Sequence, residues 1–330
     1  MRADPLGGRT VEAPAPLNAA AFCRLLEHQR FPDLGFLEIV AASEAPWNDP
    51  NYRVHLTLRH QVTREPVRKT IIVRAIGDAS ETVFRSAREL WARIFCCSDT
   101  LSMGMPLGFV PERGLFVQCL PEGPTLLDLM RDRRESQLTA GIRTLARWLA
   151  KLHDTQQGCE ALPIRLDSDL RQELHDAHGI IASRLPQHRQ QITAIADSLH
   201  RSLAMTPNPL LPTLGAVHLD QIHFHNEVLA PVNFTKTGLG DPAADLGMTC
   251  AAIEQAVLQV QGVPASQGAM DRLLETFSSE YRRHGGTEPF NRVKQYMAFA
   301  YVLHVAEAIK RVPVDSQWAR ARIDRAAALV

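Results

Sequence analysis

Four side chains that can bind metals or move protons lie close together near the middle of the chain: His218, Asp220, His223 and His225. Two histidines and one carboxylate can hold iron in the facial triad of an oxygenase, and the same donors can ligate zinc. Oxygenases of this kind need a sheet-rich, double-walled core, whereas the sequence around this segment is largely helical. A metal-dependent oxygenase is therefore the less favoured interpretation.

The elements that must position these side chains fall into two groups. Strand-like patterns at 34–41, 52–58, 70–75 and 114–120 surround one helical stretch, 81–95. After Pro121 helical periodicity dominates, at 125–133, 138–155, 168–205, 243–260, 267–285, 288–311 and 315–329. Only 216–232 interrupts it, with two short strand-like pieces. The sequence therefore predicts an α+β fold with a small sheet lobe and a large helical lobe.

The division of the chain follows from the same patterns. Residues 1–17 are rich in Pro, Gly and Ala without periodicity, which is typical of a flexible arm. Asn18 is a fair N-cap for a first helix over 19–29. We therefore predict an N-terminal sheet lobe over 18–118 and a helical C-terminal lobe over 119–330 that carries the polar segment described above.

Several motifs occur in a fixed order along this chain. His218-Leu-Asp220 lies in the segment 217–229, and Asn233 precedes Gly240 by seven positions, where Gly-Asp-Pro-x-x-Asp-Leu begins. Earlier come the stretch 116–126, with Pro-Glu-Gly at its centre, and a helix that ends in Leu-His at 145–153. Together they resemble the aminoglycoside/choline phosphotransferase family, which has the bilobal protein-kinase-like fold with an antiparallel sheet in its small lobe. The resemblance covers roughly residues 18–330.

This resemblance implies ATP-dependent phosphoryl transfer to a hydroxyl of a small molecule, with Mg²⁺ on the nucleotide. Asp220 would orient and deprotonate the attacking hydroxyl, and His218 would brace the loop. Nucleotide contacts would come from the strand at 70–75 and from the hinge: Arg74, Gln118, Cys119 and Leu120. Metal positions would be Asn233 together with Asn226 or His225. Asp241 and Asp245 are interpreted as structural carboxylates at a helix start.

Departures from the family pattern concentrate on the metal and the phosphates. Asn233 is an amide where the family has a metal-binding aspartate, and His225 stands where an asparagine is expected, with Asn226 one place later. Arg74 replaces the phosphate-binding lysine, with Glu81 or Glu89 as its candidate partner. The loop 43–50 has no glycine. The alternative is a pseudokinase, a binding or scaffolding module with a lost or weakened magnesium-nucleotide site and a protein partner.

The charge and composition of the chain exclude several other classes. Its 330 residues carry 36 basic and 36 acidic side chains, so no global field attracts nucleic acid or an anionic membrane. The six cysteines form neither a metal motif nor a disulfide framework. The first residues lack the apolar core of a signal peptide and no later apolar run can span a bilayer, which predicts a cytoplasmic protein.

The acceptor is less well defined than the reaction. In the family it lies against the helical lobe, and here the segment 160–210 has six acids against five arginines and no lysine. It also has no Phe, Trp or Tyr. A polycationic aminoglycoside favours an acidic excess and choline an aromatic cage, so neither is indicated. The sequence predicts a small-molecule hydroxyl acceptor of unspecified class.

Overall fold

The computed structural model describes residues 37–45, 51–96, 98, 100–154, 159, 162–164, 167–204, 210–261, 267–286, 290–311 and 316–330. The predicted arm, the predicted helix over 19–29 and part of the loop 43–50 lie outside these ranges. The described residues form two compact units. One contains Gly104–Pro121 and the described residues up to Arg88, and the other contains Glu89–Met103 and Glu122–Val330.

The first unit is an antiparallel sheet with one helix. Its elements are β1 (Leu37–Ala45), β2 (Asn51–His60), β3 (Pro66–Ala75), α1 (Ser80–Leu90), β4 (Pro106–Val110) and β5 (Leu115–Cys119). The strands lie in the order β1-β2-β3-β5-β4. Strand β4 was not predicted. One sheet face is a hydrophobic core that includes Val54, Leu56, Ile71, Val73 and Val117. Because side chains alternate along a strand, Ile72 and Arg74 belong to the other face.

The second unit is mostly helical, as the sequence predicted. Its helices are α2 (Leu126–Arg131), α3 (Glu135–His153), α4 (Asp167–Arg184), α5 (Arg189–Ala204), α6 (Pro242–Gln261), α7 (Gln267–Arg283), α8 (Phe290–Arg311) and α9 (Ser316–Ala327). Two antiparallel pairs interrupt them: β6 (Leu211–Thr213) with β9 (Gly238–Gly240), and β7 (Ile222–His225) with β8 (Val228–Pro231). The predicted single helix over 168–205 is two helices, because Pro186 follows α4. Within the described ranges, no helix is long and apolar enough to cross a membrane.

The core of the second unit is built around α3. Its Trp148 is fully buried and stacks on Phe95 with ring centroids 4.4 Å apart. The indole Nε1–H donates to the carbonyl of Ser102 at 2.6 Å, so the polar edge of this large side chain is satisfied. This contact ties the segment before Met103 to α3 and so gives the helical unit a fixed framework.

The end of α2 holds a non-glycine residue in a conformation that favours glycine. Arg133 has φ of 57°, and the N–H of Arg134 donates to the carbonyl of Leu129 at 2.9 Å, as in a left-handed helix cap. We predict that Arg133→Gly raises the free energy of unfolding by about 0.5–1 kcal/mol, because glycine adopts this conformation without steric cost.

Urea unfolding checks this prediction, with Arg131→Gly as the matched control. Arg131 is the last residue of α2 and is half exposed, so glycine there is expected to lower stability by about 0.5–1 kcal/mol. Equal destabilisation by both substitutions would show that the left-handed backbone at Arg133 carries no strain.

Candidate active site

Asp220 lies on a short 3₁₀ turn, Leu219–Gln221, immediately before β7. Leu219 is buried and anchors the turn in the core, whereas Asp220 is exposed. His218, at the start of the turn, has an extended backbone and is also exposed. One buried apolar residue thus lies between two polar side chains that are exposed to solvent.

The chain that leads into this turn is fixed by a buried carboxylate. Asp245, in the first turn of α6, has no exposed surface and accepts hydrogen bonds from the backbone N–H groups of Leu214 and Gly215, both at 2.7 Å. Its Oδ2 also lies 3.2 Å from Nε2 of His153, at the end of α3. The other ring nitrogen of His153 is 2.9 Å from the hydroxyl of Tyr281. Asp245 thus positions the loop and does not face an open site.

Asp241 is equally committed to structure. Its Oδ1 accepts the backbone N–H of Ala243 at 3.0 Å, which caps α6 and agrees with the interpretation from sequence. Its Oδ2 accepts hydrogen bonds from Arg292 and from the hydroxyl of Tyr296, both on α8. Burial, followed by the charge of Asp241, raises the pKa of Tyr296 far above its usual range, so this tyrosine remains a donor. The carboxylate joins α6 to α8.

The hairpin β7–β8 separates residues that the sequence places near one another. Its two-residue turn is Asn226-Glu227, with φ of 47° and 66°, as in a type I′ turn. At the opposite, open end the N–H of Val232 donates to the carbonyl of Gln221 at 3.0 Å. Asp220 and Asn233 flank this open end. At about 3.3 Å per residue, His225 and Asn226 lie about 10 Å or more from them. The structure does not bring Asn226 and Asn233 to one point.

The closed end of the hairpin packs against the segment that follows the hinge. Gly123 has φ of 88°, and a Cβ placed there would lie 2.4 Å from Cβ of His225. The carbonyl of Gly123 is 2.9 Å from Nδ1 of His223, which is buried. His223 and His225 therefore have packing roles here, and the described residues contain no group of three or more His, Cys, Asp or Glu that could hold a metal ion.

Asn233 uses its side-chain oxygen within its own loop. Oδ1 accepts the backbone N–H of Thr235 at 3.2 Å and the hydroxyl of Thr235 at 2.8 Å, as in an Asx-turn. Both hydrogen bonds fall on the atom that would have to coordinate a cation. The side-chain oxygen of Asn233 is therefore already used by the two hydrogen bonds of the turn.

Gln221 is a residue of this region that sequence reasoning missed. Its Oε1 is buried and has no hydrogen-bond partner among the described residues, although its backbone carbonyl joins the turn to Val232. A buried amide oxygen without a donor is unusual, and this oxygen can still accept a hydrogen bond. The amide directly after Asp220 could have identified this residue in the sequence. The family pattern instead has its asparagine five residues after the aspartate.

These oxygen donors do not fit Mg²⁺. The ion prefers near-octahedral oxygen ligands that include one or two carboxylates. Asn233 is neutral and already accepts two hydrogen bonds, Asp241 is held by Arg292 and Tyr296, and Asn226 lies at the far end of the hairpin. Asp220 is the one exposed carboxylate at the open end of the hairpin within the described part of the chain.

The predicted nucleotide residues lie in the sheet of the first unit. Arg74 on β3 is 5% exposed and pairs with Phe116 on β5; Gln118 is two residues further along β5 and fully buried, so both side chains share one face. The backbone N–H groups of Cys119 and Leu120 donate to the carbonyls of Met105 and Thr70, at 2.8 and 2.9 Å.

The candidate partners of Arg74 and the thiol of Cys119 are also committed within the fold. The carboxylates of Glu81 and Glu89, the candidate partners of Arg74, pair with Arg85 and Arg93 of the helical stretch that includes α1. Burial raises the pKa of the Cys119 thiol to about 11, so it remains protonated at neutral pH. The backbone N–H groups of Cys119 and Leu120 are therefore already used within the first unit.

A cavity of about 610 Å³ opens beside His218 in the second unit. It lies among α4, the segment 215–218, α6 and α8. His304 of α8 lines it, with its ring centroid 6.1 Å from that of His218. Lys236 lies on its wall and pairs with Glu173 at 2.8 Å. The cavity is large enough for a small molecule beside His218.

An α+β fold with an exposed aspartate on a loop fixed by the buried carboxylate of a Gly-Asp-Pro-x-x-Asp-Leu motif resembles that of kinase-like phosphotransferases. Residues 118–278 match the model of the phosphotransferase enzyme family. The predicted resemblance to the aminoglycoside/choline phosphotransferase family and the predicted fold class are confirmed. Among curated proteins, a search finds no significant match.

Solved structures with the same fold are similar over most of their length. A thermostable mutant of aminoglycoside phosphotransferase APH(4)-Ia, in ternary complex with ADP and hygromycin B, has 14% identity and a TM-score of 0.61 over 88% of this chain and 95% of that one. Choline kinase LicA from Streptococcus pneumoniae has 13% identity and a TM-score of 0.60 over 93% and 97%. A choline/ethanolamine kinase family protein from Mesorhizobium loti has 20% identity and a TM-score of 0.56 over 83% and 84%. At these identities the likeness concerns the fold.

Proposed function

We propose that this protein transfers a phosphoryl group from a nucleoside triphosphate such as ATP to a hydroxyl of a small molecule, with Asp220 as the general base. The observation that carries the proposal is the exposed Asp220 carboxylate on a turn whose approach is fixed by the hydrogen bonds of Asp245. A base acts efficiently only when its position is set beforehand by the fold.

In this reaction the hydroxyl oxygen of the acceptor forms a bond to the γ-phosphorus and its proton passes to the Asp220 carboxylate. The bond between the γ-phosphorus and its bridging oxygen breaks, and the nucleoside diphosphate leaves with that electron pair. Arg74 supplies a permanently charged guanidinium suited to two-pronged phosphate contacts. The complex of APH(4)-Ia with ADP and hygromycin B supports a nucleotide and a small-molecule acceptor for this fold.

The acceptor is proposed to bind in the cavity beside His218. This histidine lies on the cavity wall and precedes Asp220 by two residues, so the cavity adjoins the turn that carries the candidate base. His218 thereby has a role at the acceptor in addition to bracing the loop. No step is assigned to Mg²⁺, because the donors do not fit it.

A second candidate function is a binding module of the same fold that has lost efficient transfer. The observation that favours it is Asn233, whose neutral oxygen is occupied by Thr235 where the family places a charged ligand. Such a protein would bind a nucleotide weakly or without a metal and would act through a protein partner. Activity measurements separate the two candidates.

Calorimetric titration of ATP, with Mg²⁺ and with a chelator, tests how far binding depends on the metal. We expect similar affinities under both conditions. We further predict that Asn233→Asp strengthens Mg²⁺-dependent binding by about tenfold, because it restores a full negative charge beside the cation. Aspartate can still accept both hydrogen bonds of Thr235, so the loop is expected to fold.

Asn226→Asp is the matched control for this restoration. It makes the same chemical change in the hairpin turn, about 10 Å or more away, and is expected to leave the effect of Mg²⁺ unchanged. Tight wild-type binding that disappears on chelation would show that other residues rebuild the metal site. If Asn233→Asp has no effect, the loss lies elsewhere and the binding module becomes the better candidate.

A further inference from the structure

His304 is a half-buried polar residue that lines the cavity and has no role in the proposed reaction. It projects from α8, and its Nδ1 accepts a hydrogen bond from the side-chain Nε2 of Gln255 on α6. An amide nitrogen can only donate, so Nδ1 is the unprotonated nitrogen of the ring and Nε2 carries the hydrogen. Within the described ranges, no hydrogen-bond partner contacts Nε2 of His304.

The environment keeps this imidazole neutral. Burial and then the neighbouring His218 lower the pKa of His304 to about 4, with a smaller contribution from Arg322 and an opposing one from Glu307. At neutral pH His304 therefore presents one N–H donor whose orientation is set by Gln255. A fixed donor without a partner, on the wall of a cavity, is suited to an oxygen of a bound molecule.

The charged side chains of the cavity largely neutralise one another. Lys236 pairs with Glu173 at 2.8 Å, and Lys310 pairs with Glu307 at 2.7 Å. Asp176 accepts the side-chain amide of Gln172 at 2.7 Å. Three carboxylates and two lysines leave an excess of one negative charge, which is too small to select a polycation and of the wrong sign for a polyanion.

The remaining wall is formed by small aliphatic groups such as Ala177, Val217, Met248 and Ala300. The described residues that line the cavity include no Phe, Trp or Tyr. A quaternary ammonium is recognised by aromatic faces, so this wall offers no cage for it. Apart from these charged side chains, the cavity offers the N–H of His304 beside an aliphatic surface.

We propose that the cavity binds a neutral polyhydroxylated acceptor, such as a sugar or a cyclic polyol, and that His304 determines this specificity by donating Nε2–H to one of its oxygens. The inference rests on the proposed function for the identity of the cavity as the acceptor site. His304 is a specificity residue, whereas Asp220 carries the proton transfer.

Ligand-observed NMR on the full chain without nucleotide tests binding directly, with myo-inositol and methyl glucoside as neutral probes and kanamycin and choline as cationic ones. We expect saturation transfer to the neutral probes and weaker or no transfer to the cations. Preferential binding of kanamycin or choline overturns the proposal. Binding of none of the four probes overturns it as well.

His304→Phe removes the donor while keeping the ring, and is expected to weaken binding of the neutral probe about three- to tenfold, the range for one neutral hydrogen bond. The control is His175→Phe, an exposed histidine of α4 that does not line the cavity. His304→Gln retains a donor and is expected to restore part of the affinity. If both His304 variants bind as the wild type does, His304 has no recognition role.

A transfer assay with the same probes separates this inference from the proposed function. Binding of a neutral probe that depends on His304, without transfer to it, would contradict the proposed function and leave the cavity assignment intact. Transfer that is unaffected in KM by His304→Phe and His304→Gln would support the proposed function and contradict the role of His304.

Discussion

Replacement of Asp220 by asparagine is expected to reduce phosphoryl transfer by about 10²- to 10⁴-fold, the usual contribution of a positioned general base. Asparagine has nearly the same shape but cannot take the proton of the acceptor hydroxyl. Because Asp220 is exposed, the change in unfolding free energy should remain within about 0.5 kcal/mol. Steady-state kinetics, with circular dichroism to verify the fold, measures both effects.

Glu227→Gln is the control for this experiment. Glu227 is also exposed and acidic, but it lies in the turn at the closed end of the β7–β8 hairpin, away from Asp220. Its substitution should leave transfer unchanged. Transfer that persists in Asp220→Asn would exclude Asp220 as the base, and equal losses in the two variants would point to a general effect of charge.

Replacement of Asp245 by alanine is expected to destabilise the protein by about 3–5 kcal/mol. The carboxylate is fully buried and accepts from two backbone N–H groups, those of Leu214 and Gly215, and it lies beside His153. Alanine would leave all three without their acceptor in a site that water does not reach. Chemical unfolding measures the loss directly.

Asp132→Ala provides the comparison for Asp245→Ala. Asp132 follows α2, its side chain is about half exposed, and its weak pair with Arg134 spans 3.5 Å. Its removal should change stability by no more than about 0.5 kcal/mol. A similarly small effect at Asp245 would show that the loop before Asp220 is held by packing and not by these hydrogen bonds.

The α+β fold could be predicted because apolar periodicity and the order of motifs are local properties of the sequence. Strand β4 escaped prediction because Pro106 and Gly108 break its alternation, and its strand character comes from pairing with β5. Proline at 186 divides a helical pattern that looks continuous when only apolar residues are counted.

Only the site residues that belong to a short continuous motif could be predicted from the sequence. Asp220 follows from a short motif, whereas His304 reaches the cavity from α8, far along the chain, and nothing in the sequence near it indicates this. The same holds for Asn233: spacing identifies the position, but the hydrogen bonds from Thr235 that occupy its oxygen depend on the folded loop. Tertiary structure determines which polar groups remain available.

The tight β7–β8 hairpin has an evolutionary consequence. A two-residue turn fixes the register of both strands, so no exchange of side chains can carry the amide of Asn226 to the open end. An insertion between Asp220 and Ile222 would lengthen the path from the turn to the hairpin. Such an insertion should lower the stability only slightly, since doubling the length of a flexible loop costs about 0.6 kcal/mol of free energy. Comparisons of this protein with similar sequences should therefore record insertions and deletions at this point as well as substitutions.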